Sequence, residues 1–357
     1  MPSGNLLITA PAPFGTGGLG RHLLEIWDAS QRAGAQARII CETAHQTSPP
    51  ARAPSPRSRL RHAAIAPRAR VSPSWRRWLA SVEFDENAAR VMPPGEHLIA
   101  FNGTALAQFS AAGAERFKTL VAANSHFEQV VRRHRLALGQ YPLESASPER
   151  LLARNLAEYQ LADRILYASD YIRDSFLHAG IAAEKLVRFP LTADPRFLAQ
   201  TTAEEPVARP GSPIRERTTF DVVYVGSLTV HKGVPLLIDA VRSLPHQDLR
   251  LVLVGGWGSR GMRQFVEQAC AEDSRITVTR GDPLPHLRAA SLYVHAAYED
   301  GFAYAAAEAL AAGVPMAVSE DTGMKELLGQ DAVVFPTGDL DALREAIEHA
   351  HACGAGQ

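Results

Sequence analysis

Short apolar runs alternate with amphipathic stretches along most of this chain, and that alternation predicts a β/α/β succession. Residues 6–10 form an apolar run suited to a buried strand. A glycine-rich turn follows, and then an amphipathic pattern over 21–32 that predicts a helix. Further strand-like runs fall at 37–41, 97–101, 118–123 and 164–168. Uninterrupted apolar strands of this kind belong in parallel sheets covered on both faces. Helices are predicted from about 147 to 162, with a capping frame at Ser147, and from Ser169 to near Gly180. The alternation breaks at 200–217, which is rich in Thr, Glu, Pro, Arg and Gly and has too little apolar content to bury.

The pattern restarts at 221–225 and continues with strands expected at 249–254, 276–279, 292–296 and 332–335. Residues 321–326 are expected to begin a helix, and Gly338 and Asp339 to cap a last one ending near 350. With 357 residues the chain exceeds the size at which one core usually keeps growing. Two doubly wound domains are therefore expected, 1–198 and 220–357, joined by an exposed linker at 199–219.

Net charge is -1, which gives no bulk reason to expect nucleic acid as a partner. The three cysteines are widely spaced, so neither a disulfide framework nor a zinc pattern is expected from them, and a reducing, cytoplasmic setting is the simplest reading. The first residues show no basic, apolar signal pattern, and no apolar run approaches the ~20 residues that span a bilayer. Residues 43–82 are different: eight Arg, no Asp or Glu, and Trp75 and Trp78. The Arg/Trp stretch 52–78 suits a solvated loop leading into a short helix, or peripheral contact with an anionic surface such as the inner face of a membrane.

The chemistry concentrates in residues 298–326, Y-E-D-G-F-A-Y-A-A-A-E-A-L-A-A-G-V-P-M-A-V-S-E-D-T-G-M-K-E. Asp300 sits in a loop before an Ala-rich helix, and Glu308, eight positions on, falls on roughly the same side of it. Backbone N–H groups from Gly301 through Phe302 and Ala303 to Tyr304 lie at the helix start, a place suited to an anion. A phosphate there, with hydroxyls for the carboxylates, describes a nucleotide sugar. Lys is scarce, at positions 118, 185, 232 and 325 only, so Lys232 in the turn after the strand at 221–225 stands out.

These residues resemble the retaining glycosyltransferases of family 4, whose signature is Glu-Gly-Phe-Gly followed by a helix with a second Glu. Here the frame reads Asp300-Gly301-Phe302-Ala303 with Glu308 in register. Asp300 is one methylene shorter than the family's Glu, and Ala303 stands where the family has Gly. Glu299 is a candidate to share the first acid's role. The resemblance implies a GT-B fold, two Rossmann-like domains facing across a cleft. It also implies a nucleoside-diphosphate-sugar donor, retention at the anomeric carbon, no required metal and no further cofactor. It assigns Glu308 to the ribose, Asp300 and His126 to the sugar, and Lys232 to the diphosphate. The family's second basic residue is replaced by Ser227, so Arg21, Arg260 or His231 would have to supply the missing charge. Trp257 is a candidate to stack on the base.

The glycine-rich turn carries two readings. Gly15 to Gly20 contains the frame G-x-G-x-x-G, with Glu42 after the next strand, as a dinucleotide-binding oxidoreductase would require. The resembling family also has a Gly-Gly-x-Gly loop here, which points to Gly17 and Gly18 as donor-side contacts. Transferase is the favoured function, with a catalytically degenerate nucleotide-sugar-binding scaffold and an NAD-linked oxidoreductase as alternatives. Sugar, base and acceptor are not legible.

Overall fold

The computed structural model describes residues 5–42, 51–52, 73–95, 97–146, 149–198, 219–329 and 332–354. The expected linker, apart from Thr219, and most of the Arg/Trp stretch lie outside these residues. The chain divides into two compact units, Met1–Arg135 with Ser145–Leu191, and Leu136–Glu144 with Thr192–Gln357.

The first unit is a parallel sheet of seven strands: β1 (Asn5–Ala10), β2 (Gln36–Cys41), β3 (Ala51–Arg52), β4 (His97–Phe101), β5 (Phe117–Ala122), β6 (Arg164–Tyr167) and β7 (Leu186–Arg188). Their order is β3-β2-β1-β4-β5-β6-β7. Ile8, paired with Ile99, lies in the core with Leu98, Leu120 and Ile165, all essentially inaccessible, which is why these strands read as apolar runs. Helices α1 (Gly17–Arg32), α2 (Pro73–Val91), α3 (Leu106–Ala111), α4 (Phe127–Gln140), α5 (Glu149–Leu161) and α6 (Asp170–His178) connect them. The helix carrying the tryptophans is longer than expected. Trp75 and Trp78 meet edge to face at 5.6 Å, and the Arg150 guanidinium lies 5.9 Å from the Trp78 ring.

Helix α3 has no capping side chain of its own at Ala105. Two buried acids from distant elements replace it. Glu158 on α5 accepts from the N–H groups of Gly103, Ala105 and Leu106, and Asp85 on α2 from those of Ala107 and Gln108. Arg154 bonds Asp85 and lies 3.4 Å from Glu158.

The second unit repeats the plan with six parallel strands: β8 (Phe220–Val225), β9 (Leu249–Val254), β10 (Ile276–Thr279), β11 (Leu292–His295), β12 (Met316–Ser319) and β13 (Val333–Phe335). The order is β10-β9-β8-β11-β12-β13. Helices are α7 (Val234–Ser243), α8 (Arg260–Glu272), α9 (Leu284–Ala289), α10 (Tyr304–Ala311) and α11 (Leu340–Gly354). The helix expected from 321 is a single 3-10 turn, Gly323–Leu327, held where Gly323 N bonds Asp300 O and Lys325 N bonds Thr322 O. Asp339 caps α11 by accepting from Ala342 N at 2.9 Å.

In both sheets the chain winds outward from one central strand and then returns to its other side. The reversals fall between β1 and β4, and between β8 and β11. Open α/β sheets bind ligands at the carboxyl ends of the strands flanking such a reversal. Among the described residues no helix is long and apolar enough to cross a membrane.

Candidate active site

The turn after β8 and the loop after β11 flank the reversal in the second unit. Tyr224, buried at the end of β8, donates its hydroxyl to the Ser227 carbonyl at 2.9 Å. Leu228 N bonds Gly256 O and Tyr298 N bonds His231 O, both at 2.8 Å, so the turn is tied to the neighbouring strand ends. Gly233 then opens α7 with φ of +70°, and a Cβ there would fall 1.8 Å from the Ala296 carbonyl oxygen. Only glycine permits this approach, which sets Lys232 beside the exit of β11.

Lys232 meets a carboxylate there. Its Nζ donates to Asp300 Oδ2 at 2.5 Å, His295 Nε2 lies 3.1 Å from the same oxygen, and Ala303 N donates to Oδ1 at 2.9 Å. His295 Nδ1 lies 3.3 Å from the Tyr293 hydroxyl. A proton on Nε2 satisfies all three groups: Tyr293 donates to the imidazole, which donates to Asp300. Tyr293 and His295 are buried, and the side chains of Asp300 and Lys232 are 15% and 22% exposed. Burial alone would favour the neutral acid, but the Lys232 charge and the His295 hydrogen bond outweigh it and hold Asp300 well below the usual carboxylate range. The Tyr293 phenol is driven upward, first by burial and then by its charged and titratable neighbours, Asp300 and Glu308 among them.

Ala303 has φ of 61°, the only positive φ at a non-glycine among the described residues. It begins α10 and occupies the position where the resembling family has glycine. The amide start of α10 is not wholly available to a ligand, since Asp300 already takes the Ala303 N–H. Gly301, Phe302 and Ala303 are buried, Glu299 is 1% exposed, and Glu308 is half-buried.

The structure therefore brings Lys232 and the Ala303 amide onto the one carboxylate of Asp300, with Glu308 half-buried on α10 and Ser227 exposed on the same turn as Lys232. Gly17 and Gly18 belong to the first unit, exposed in the first turn of α1. His126 belongs to it too. Its ring packs against Tyr159 at 4.8 Å and Phe176 at 5.2 Å, with Nδ1 3.7 Å from Glu128, and burial lowers its pKa against the pull of Glu128. Arg260 is exposed at the start of α8, Arg21 lies in the first unit, and His231 gives its carbonyl to Tyr298. One face of Trp257 is taken by Arg280, 5.6 Å from the ring, and the indole packs on the core of its unit.

Sequence reasoning missed His295 and Tyr293. Both lie in the run L-Y-V-H, whose pattern reads simply as a strand. The signal was available: alternate positions on β11 share a face, and the later one stands five residues before Asp300.

Residues 219–352 match the family described as Glycosyl transferases group 1. The O-antigen chain mannosyltransferase B of Escherichia coli is 25% identical over 195 residues, 51% of this chain. The match spans about half of that relative's length, 50%. WaaG, a glycosyltransferase involved in lipopolysaccharide biosynthesis, superposes with a TM-score of 0.68 at 18% identity, over 97% of this chain and 90% of WaaG. Anabaena Alr3699/HepE, solved in complex with UDP and glucose, gives 0.63 at 17% identity, over 99% of this chain and 95% of that one. The two doubly wound sheets thus have the GT-B architecture, and the stretch that matches the glycosyl transferases group 1 family lies in the second of them.

Proposed function

We propose that the protein is a retaining, metal-independent glycosyltransferase of the family 4 type, moving a hexosyl group from a nucleoside-diphosphate sugar to an acceptor hydroxyl. The observation that carries this reading is the meeting of Lys232, Asp300 and the Ala303 amide at the β8/β11 reversal. A cation and a backbone N–H converge on one point there, and a protein carboxylate already sits at it. An anion of the donor suits the same partners.

In the reaction the bond from the anomeric carbon to the diphosphate oxygen breaks and the diphosphate leaves with the electron pair. Lys232 stabilises that developing charge. The acceptor hydroxyl attacks from the departing face, forms the new C–O bond, and passes its proton to the leaving phosphate, so configuration is retained without a covalent enzyme intermediate. Glu308 accepts from the ribose hydroxyls, and Asp300, positioned by His295, orients the hexose. A GDP-mannose:glycolipid 4-beta-D-mannosyltransferase of Xanthomonas campestris pv. campestris, 38% identical over 56 residues (16% of each chain), makes GDP-mannose a donor to try first. UDP-glucose comes second, since HepE was solved with UDP and glucose.

A second reading, a binding protein without turnover, is favoured by Ser227 in place of a cation and by the carboxylate already engaging Lys232. Release of nucleoside diphosphate from each donor, measured for the wild type and for Lys232→Ala, separates the two. Turnover that falls by about a hundredfold or more in the variant supports transfer. Donor binding in the wild type with no release above the variant's level establishes the scaffold.

A further inference from the structure

A group of side chains at the opposite edge of the second sheet has no part in donor chemistry. Asp248 immediately precedes β9, whereas Gly226 and Lys232 follow the carboxyl end of β8. A six-residue strand puts roughly 20 Å between two such edges. His246, Asp248 and His351 gather here, from the turn between α7 and β9 and from the end of α11. Each offers one ligand atom, and these atoms all lie within 4.8 Å of one another. His351 Nε2 is 2.9 Å from Asp248 Oδ2, and the two imidazoles lie 4.1 Å apart with planes 20° from parallel.

We propose that His246, Asp248 and His351 bind a divalent ion of the zinc class, which clasps the last helix to the turn ahead of β9. Two imidazole nitrogens and one carboxylate oxygen suit zinc and its neighbours in the first transition row, not magnesium or calcium, which take all-oxygen shells. Bonds of about 2.0–2.2 Å set neighbouring ligands of a tetrahedral ion about 3.3–3.6 Å apart. The 2.9 Å contact is already close to that edge, and rotations of the three side chains close the remainder. Asp248 is half exposed, so water can complete the shell.

The backbone under these ligands is held independently of any ion. Arg275 donates to the carbonyls of Leu244 and His246 at 2.7 and 3.0 Å, Phe220 N donates to Asp248 O at 2.9 Å, and His351 packs edge-on to Phe220 at 5.1 Å. Arg275 is itself paired with Asp273 at 2.8 Å, so its charge is compensated beside the cluster. His246 and Asp248 are near neighbours in the chain, but His351 follows 103 residues after Asp248, so no spacing motif announces the set.

The test uses the full chain, stripped with EDTA and titrated with zinc chloride by calorimetry, and with cobalt(II) by absorption spectroscopy. One equivalent should bind, with ligand-field bands of a low-coordinate site, and the thermal midpoint should rise. His246→Ala and His351→Gln should each weaken binding by about a hundredfold or more, while the far-UV circular dichroism and UDP affinity stay as in the wild type. His349 and Cys353 lie 3.8 Å apart on the same helix and are the competing ligands. A double variant His349→Ala/Cys353→Ser should bind as the wild type does. Loss of binding in that double variant, or one equivalent still bound by His246→Ala/His351→Gln, overturns the assignment, as does the absence of any stoichiometric zinc.

Discussion

Lys232 Nζ donates to Asp300 Oδ2 at 2.5 Å across the β8/β11 reversal, so the cation assigned to a diphosphate already holds a carboxylate. Both groups are largely buried. Removing one partner leaves the other charge uncompensated, which typically costs about 3 kcal/mol or more. Lys232→Met should therefore lower the urea unfolding free energy at pH 7 by about that amount. Lys232→Met/Asp300→Asn should recover most of it. The pH dependence has a definite sign: the folded Asp300 carboxyl titrates below its unfolded value, so its contribution is present above about pH 4 and lost as pH falls further. A single variant as stable as the wild type at pH 7 would show that the pair is solvent-screened in solution.

Ala303 begins α10 in the left-handed region, φ 61° and ψ 71°, where a Cβ costs about 1–2 kcal/mol. Glycine removes that cost but has more backbone freedom to lose, which returns about 0.5–1 kcal/mol. Ala303→Gly should therefore stabilise the protein by up to about 1 kcal/mol in a denaturant midpoint, with the slope of the transition unchanged. A destabilised variant would mean that the methyl, 5% exposed, contributes more by packing than it costs in strain.

Both departures from the resembling family's frame were legible in the sequence, and the structure gives each a physical content. Asp300 is the acid against Lys232, and Ala303 adopts the backbone that glycine would. The parallel sheets were legible because their strands, Phe220–Val225 and Leu249–Val254 among them, are apolar on both faces. What stayed hidden depends on residues far apart in the chain. The start of α3 has no local capping residue, and its donors are satisfied by Asp85 and Glu158. His295 looked like one more strand residue until the fold set it against Asp300. The turn at 323–327 has helix-forming residues, but the chain goes extended at Leu328, φ -77° and ψ 141°, and the helix ends there.

Glu158 makes the first unit sensitive to pH. Burial pushes its pKa up from 4.5 to about 7, against the opposing effect of three backbone N–H groups and Arg154. The folded value exceeds the unfolded one, so this contribution is full below about pH 4.5 and disappears as pH rises to about 7, a change of about 3 kcal/mol. Urea midpoints measured from pH 5 to 8 should fall through this range. Glu158→Gln cannot ionise and should flatten the profile. An unchanged slope in the variant would place the titrating group elsewhere.

Ser227 is exposed on the turn that presents Lys232, and it stands where the resembling family carries a second cation. In the proposed reading Lys232 offsets the donor diphosphate while also bonded to Asp300. An arginine at 227 enters open space, so the substitution needs no repacking of Tyr224, which bonds the Ser227 main-chain carbonyl and not its side chain. A charge-assisted hydrogen bond contributes about 1.5–3 kcal/mol, which corresponds to roughly tenfold to a hundredfold in affinity. Ser227→Arg should tighten binding of UDP or GDP by at least the lower figure, and the gain should shrink as salt screens the added charge. Nucleosides without phosphates should bind the variant and the wild type alike. Equal tightening for nucleoside and diphosphate would place the arginine against the base, and the diphosphate would then have to be sought away from Lys232.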